Sequence, residues 1–183
     1  MKKITLLGDS IRLNYEKRVS ELLGPGYEIF RYDDNGRFAS YTMRSLFDYR
    51  DSIAGSDVIH WNNGHWDLCD LFSDGPFTPP DQYARNLKRI AAILLKITPN
   101  VIFATTTPVR PENIYNSNEN VMLYNTVAVE TLSPMGITVN DLYGRLSADI
   151  PRYICDDLIH LTAEGVEVCA SAVAQAIIKK ASV

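Results

Sequence analysis

The chain has 183 residues, the length of one ordinary domain, and its composition is 46% hydrophobic and 22% charged. That balance is typical of a soluble globular protein and excludes a fibrous or disordered chain. The net charge of -4 arises from 18 basic and 22 acidic side chains, and neither sign forms a block, which disfavours a nucleic-acid partner. We expect one domain over residues 1–183.

The sequence carries no sign of a membrane segment or a targeting signal. The apolar run that follows Lys2 and Lys3 ends at Leu7, which is too short for a signal peptide, and no stretch approaches the roughly 20 apolar residues that span a bilayer. A cytoplasmic protein without a membrane span is therefore predicted. The three cysteines are odd in number and lack CxxC spacing, so we expect reduced thiols, with neither a disulfide framework nor a zinc site. They are Cys69, Cys155 and Cys169.

Five short apolar segments have the length and composition of buried strands. They cover residues 4–7, 27–30, 57–61, 101–105 and 137–139. Segments with helical periodicity alternate with them. These cover residues 10–23, 42–54, 79–98, 119–132 and 162–181. The alternation predicts βαβ units, and hence a three-layer α/β/α sandwich around a flavodoxin-like parallel sheet of five strands.

Glycine and polar residues follow four of the predicted strands. These segments are Gly8-Asp9-Ser10, residues 33–37, residues 62–67 and Asn140-Asp141. Because ligands bind beyond the carboxyl ends of parallel strands, we expect the four loops to form a site at one edge of the sheet. Ordinary turn chemistry is the alternative, since Gly, Asn and Asp are common turn residues.

Ser10 lies where the first strand meets the first helix, so its own N–H at the helix N-terminus could stabilise an oxyanion. Taken alone, this serine would be better explained as the helix N-cap. Asp157 and His160 lie three residues apart before the last helix and supply the base and the orienting carboxylate that a serine nucleophile needs. The combination predicts a catalytic triad, against the alternative of a surface histidine beside a helix capped by Thr162.

Gly8-Asp9-Ser10, Gly36, the loop around Gly64, and Asp157-x-x-His160 occur in this order over the whole chain. The set resembles the sequence blocks of the SGNH (GDSL-like) hydrolases. The resemblance implies a serine esterase in which Ser10 is the nucleophile, His160 acts as general base and then acid, and Asp157 orients it. It also implies an oxyanion hole made by the N–H groups of Ser10 and Gly36 and an asparagine side chain.

The third oxyanion group departs from the family pattern. Where the family has Gly-x-Asn-Asp, this sequence reads Gly64-His65-Trp66-Asp67. Two residues are possible substitutes: Asn63 through its amide, and Trp66 through its indole N–H. We favour Asn63. Further pocket residues are expected among Asn35, Arg37, Gly64, His65, Trp66 and Asp67.

Other sites are less well supported by the sequence. His60, His65, Asp67 and Asp70 are close enough in sequence to suggest metal ligands, but the two histidines straddle a strand end instead of sharing a helix face. No metal and no cofactor are therefore predicted. Cys155 lies near His160, but no second feature supports it as a nucleophile.

The predicted substrate is a small-molecule ester with a short acyl group, such as acetyl on a carbohydrate. Lysophospholipase, thioesterase or acyltransferase activity would use the same residues. A catalytically weak SGNH-like domain that binds a carbohydrate is an alternative, motivated by the missing asparagine. A flavodoxin-like nucleotide-binding module would explain the alternating strands and helices but not the Asp157 and His160 pair.

Overall fold

The computed structural model describes residues 1–182, which form a five-stranded sheet with helices around it. The strands are β1 (Lys2–Leu7), β2 (Tyr27–Arg31), β3 (Val58–Trp61), β4 (Val101–Ala104) and β5 (Thr138–Asn140). Every pairing is parallel, and the strand order is β2-β1-β3-β4-β5. The predicted five-stranded parallel α/β fold is confirmed.

The helices are α1 (Ser10–Leu23), α2 (Ala39–Asp48), α3 (Arg50–Ile53), α4 (His65–Leu68), α5 (Pro80–Leu94), α6 (Asn118–Leu132), α7 (Leu142–Leu146), α8 (Ile150–Tyr153) and α9 (Ala163–Ala181). Helices α1 and α9 bury Val19 and Val173 against one face of the sheet. Helices α2, α5 and α6 bury Leu46, Leu87 and Ala128 against the other face. Two separate cores therefore enclose the sheet and make the three layers.

The three central strands, β1, β3 and β4, are buried on both faces, whereas the edge strand β2 is half-buried or exposed along its length. In β1, Ile4 and Leu6 belong to the core under α1 and α9, whereas Leu7 belongs to the opposite core. In β4, Ile102 and Phe103 divide in the same way. Because successive side chains of a strand point to opposite faces, a strand covered on both sides has a nearly continuous apolar sequence. This is why the three central strands are recognisable in the sequence.

The second predicted helix differs most from the structure. It begins at Ala39, three residues earlier than expected, and is divided at Tyr49 into α2 and α3. The N–H of Ala39, at the start of α2, donates to Asp67 Oδ2 at 2.9 Å. A distant carboxylate thus satisfies a helix N-terminal N–H, and this contact is not visible in the local sequence.

No helix within residues 1–182 is long and apolar enough to cross a membrane. The three cysteines are free thiols; Cys169 is buried, and Cys69 and Cys155 are half-buried.

Candidate active site

Ser10 is the first residue of α1 and is half-buried. The N-cap of this helix is Asp9, whose Oδ1 accepts the Ile11 N–H at 3.0 Å. The side chain of Ser10 is therefore not used as the cap. Its backbone N–H donates to no group within residues 1–182. A hydroxyl and a free N–H thus lie together at the positive end of a 14-residue helix.

A tight turn before α9 brings the other two predicted triad residues together. His160 Nδ1 lies 2.8 Å from Asp157 Oδ2, and the His160 N–H donates to Asp157 Oδ1 at 2.9 Å. Leu158, between them, has a φ of 75°, a conformation that costs a branched side chain free energy and is found where surrounding contacts enforce it. The N–H of Leu161 donates to Asn14 Oδ1 at 3.1 Å, which fastens the turn to α1.

The Asp157 carboxylate is held in its ionised form. Partial burial acts to raise its pKa, but the hydrogen bonds from the His160 and Ile159 N–H groups and from the imidazole outweigh burial, and the pKa is lowered. An ionised carboxylate on Nδ1 fixes the tautomer in which Nε2 is the free basic nitrogen. The Asp157 carboxylate can therefore orient the His160 ring and stabilise its imidazolium form.

Ser10 and His160 line the same cavity, whose volume is about 300 Å³. No hydrogen bond joins the Ser10 hydroxyl to the imidazole in the described part of the chain. In serine hydrolases this contact often tightens only when the substrate binds. The remaining lining residues are Asn35, His65, Trp66, Cys69, Leu71, Phe77, Asn116 and Ile159.

The loop after β2 is bound to the loop that carries Ser10. The Gly36 N–H donates to Gly8 O at 2.8 Å, and the Tyr32 hydroxyl donates to the same oxygen at 3.3 Å. The buried Arg12 side chain donates to the carbonyls of Tyr32 and Asp34. These four bonds fix residues 32–36 beside the start of α1.

This arrangement corrects the expected oxyanion role of Gly36 and Asn63. The Gly36 N–H is already bonded to Gly8 O, so it is not available to an oxyanion. Asn63 is fully buried and lies outside the cavity lining. Its Oδ1 accepts from Trp61 Nε1 and Thr42 Oγ1, and its Nδ2 donates to the Arg37 carbonyl at 2.9 Å. Because both ends of the amide have partners, Asn63 supports the loop structure.

Three other predicted pocket residues also lie outside the cavity lining. Arg37 has a φ of 43° and places its guanidinium 4.8 Å from the centre of the Tyr41 ring. Gly64 packs against Thr106, where a Cβ would meet the hydroxyl at 1.9 Å. Asp67 is buried under α2, and burial raises its pKa to about 7.

His65 and Trp66 form part of the cavity wall. His65 is buried, with Nε2 3.0 Å from Thr107 Oγ1, and burial lowers its pKa to about 3, so the ring is neutral. Trp66 is half-exposed and packs edge-on against Phe38. No group of three metal-ligating side chains occurs within residues 1–182.

Sequence reasoning missed the long loops that complete the cavity. Asn116 precedes α6, and its Nδ2 donates to the His65 carbonyl at 3.0 Å. Phe77 and Leu71 come from the loop after α4. The only available signal for Asn116 was its position in the loop after β4, at the same edge of the sheet as the other loops.

No family model and no curated protein matches this sequence. Solved structures match nearly the whole chain. A lipase/acylhydrolase from Enterococcus faecalis has a TM-score of 0.81 at 17% identity, covering 97% of this chain and 95% of its own. The chain has the SGNH (GDSL-like) hydrolase fold.

Two further structures support this assignment of the fold. The acetylxylan esterase Axe2 from Geobacillus stearothermophilus has a TM-score of 0.77 at 16% identity, covering 96% of this chain and 94% of its own. A member of the lipolytic G-D-S-L family from Veillonella parvula has a TM-score of 0.78 at 14% identity, covering 96% and 97%. At such identities the likeness concerns the fold, so the chemistry must be argued from the site.

Proposed function

We propose that this protein is a serine ester hydrolase of one domain that forms an acyl-enzyme on Ser10. The observation that carries the proposal is the shared cavity of Ser10 and His160, with the imidazole bonded at 2.8 Å to Asp157. A nucleophile, a base and an orienting carboxylate are the three groups that acyl transfer to serine requires.

In the proposed reaction, His160 Nε2 removes the proton from the Ser10 hydroxyl as Oγ attacks the ester carbonyl carbon. The tetrahedral oxyanion lies at the N-terminus of α1, where the Ser10 N–H and the helix dipole stabilise it. Its collapse breaks the bond to the alcohol oxygen, which takes the proton from His160. A water molecule then attacks the acyl carbon while His160 takes its proton. Collapse of this second tetrahedral intermediate breaks the bond to Ser10 Oγ, which takes the proton back from His160, and the carboxylic acid is released.

For the substrate, we propose a short acyl group, such as acetyl, on a carbohydrate. A cavity of about 300 Å³ is at the small end of the range for ligand sites. Its wall includes Trp66, 37% exposed, and Phe77, 46% exposed, and such flat apolar rings suit the apolar face of a sugar ring. Three of the similar structures are described as acetyl xylan esterases.

The test is hydrolysis of p-nitrophenyl esters with acyl chains of two to eight carbons, together with acetate release from acetylated xylo-oligosaccharides. We expect turnover that is highest for acetyl and is abolished in S10A and H160A. If the wild type does not exceed these variants, the site is not a hydrolase site, and a ligand-binding domain without turnover becomes the better explanation. Fastest turnover of the eight-carbon ester would contradict the short-acyl proposal while leaving the hydrolase intact.

A further inference from the structure

The oxyanion hole of the proposed hydrolase lacks an assigned side-chain donor. The Gly36 N–H is bonded to Gly8 O, and Asn63 is buried outside the cavity lining. Among the residues that line the cavity, Asn116 directs both N–H groups of its amide at His65: its Nδ2 donates to the His65 carbonyl at 3.0 Å and lies 3.4 Å from His65 Nδ1. Two side chains remain with a neutral N–H donor that has no partner within residues 1–182: Asn35 and Trp66.

We infer that the side-chain amide of Asn35 is the second oxyanion donor, beside the Ser10 N–H. This inference rests on the proposed reaction at Ser10. Asn35 is half-buried and lines the cavity. Its Oδ1 accepts the Arg37 N–H at 2.9 Å. Because the carbonyl end of the amide is held in this turn, the NH₂ end is the end left free for a ligand.

The position of Asn35 is fixed before any substrate arrives. Its neighbour Gly36 is bonded at 2.8 Å to Gly8 O, two residues before the nucleophile. On its other side, the carbonyl of Asp34 accepts from the buried Arg12. A donor held in this way needs no reorganisation when charge develops on the substrate oxygen, which is the condition for effective oxyanion stabilisation.

Trp66 meets this condition less well. Its indole is 37% exposed and packs edge-on against Phe38, with 5.5 Å between the ring centres. No hydrogen bond within the described residues fixes the direction of its N–H. Packing orients the ring plane, whereas Asn35 is oriented by a hydrogen bond to the backbone.

Two substitutions at one position separate a donor role from a structural role. Asn35→Ala removes both ends of the amide. Asn35→Asp keeps the side-chain size and the acceptor for the Arg37 N–H, but replaces the NH₂ with an anionic oxygen. If Asn35 only supports the turn, N35D will behave as wild type. If it donates to the oxyanion, N35D will be at least as impaired as N35A.

We expect kcat for p-nitrophenyl acetate to fall about 10²- to 10³-fold in N35A and at least as far in N35D, with KM changed less than about threefold. Inhibition by phenylboronic acid, which forms a tetrahedral adduct on serine, is expected to weaken by a similar factor. Circular dichroism and thermal melting check that both variants are folded.

A kcat in N35D equal to that of the wild type would overturn the assignment of Asn35. A hundredfold lower kcat in W66F, together with a nearly unchanged kcat in N35A, would also overturn it and would assign the donor to the indole. Either result leaves Ser10-dependent turnover in the wild type intact. A wild-type protein with no turnover above S10A would instead overturn the hydrolase proposal and this inference together.

Discussion

Asp9, the residue before the nucleophile, forms a buried pair with Asn62 that has more acceptor oxygens than donors. Asn62 Nδ2 donates to Asp9 Oδ1 at 2.7 Å. The remaining oxygens, Asp9 Oδ2 and Asn62 Oδ1, are both buried and have no partner in the described residues. Both are acceptors when Asp9 is ionised. A proton on Asp9 would convert one of these acceptors into a donor, and so would an amide in place of the carboxyl.

The free-energy cost of ionising Asp9 in the folded protein determines how strongly its stability depends on pH. Burial raises its pKa from 3.8 to about 6, against the opposing hydrogen bonds from Asn62 and the Ile11 N–H. A folded pKa above the unfolded value means that the stabilisation is complete below pH 3.8 and is lost as pH rises through 6. The shift of about 2 pKa units corresponds to about 3 kcal/mol, of which about half is lost between pH 5 and pH 8.

Asp9→Asn mimics the protonated side chain at every pH. We expect the unfolding free energy of D9N, relative to wild type, to rise by about 1.5 kcal/mol between pH 5 and pH 8. Urea unfolding of both proteins at pH 5 and pH 8 measures this difference in unfolding free energy. Measurements stop at pH 5 because burial also lowers the pKa of His60 and His65 to about 3. Since both rings stay neutral in the folded protein and are protonated in the unfolded chain, the protein loses stability as pH falls below 6.5.

A matched control for D9N is Asp51→Asn, where the side chain is 91% exposed. This surface change is expected to shift stability by less than about 0.5 kcal/mol at either pH. If the difference in unfolding free energy between D9N and wild type is the same at both pH values, or is smaller at pH 8 than at pH 5, the account of the buried pair is refuted.

Three further substitutions test other parts of the structure. Asp157→Asn should lower kcat at least about 10²-fold at neutral pH, since the imidazole loses its orienting charge; initial rates within threefold of wild type would contradict this. Gly8→Ala places a Cβ 1.9 Å from Asn62 Oδ1 at a φ of 149°, and should lower the unfolding free energy measured in urea by about 2 kcal/mol or more. Gly26→Ala is the control, since Gly26 has open space around it, and should leave the unfolding free energy nearly unchanged. Asn63→Ala leaves the buried indole N–H of Trp61 without its acceptor and the Arg37 carbonyl without its donor. It should lower stability by about 3 kcal/mol, so an unchanged melting midpoint would count against its structural role.

The fold could be predicted from the sequence because its signal is local. Each of β1, β3 and β4 is a short apolar run buried on both faces, and each long helix repeats apolar residues on one side. The rule that loops at the carboxyl ends of parallel strands meet at one edge placed Ser10 and His160 together, and both line one cavity.

The details of the oxyanion region could not be predicted, because they depend on long-range contacts. The availability of Asn63 is decided by Thr42 and Arg37, which lie more than 20 residues away in sequence. The start of α2 is decided by Asp67. Nothing in the local sequence distinguishes an asparagine with a free NH₂ end, such as Asn35, from one bonded at both ends of its amide, such as Asn63.

The central claim is that Ser10 is a nucleophile activated by His160. Reaction with a fluorophosphonate, followed by peptide mass spectrometry, tests it directly because the probe traps only an activated serine. We expect one adduct, located on Ser10, absent in S10A and strongly slowed in H160A. Absence of an adduct in the wild type, or an adduct on another residue that persists in S10A, would contradict the claim.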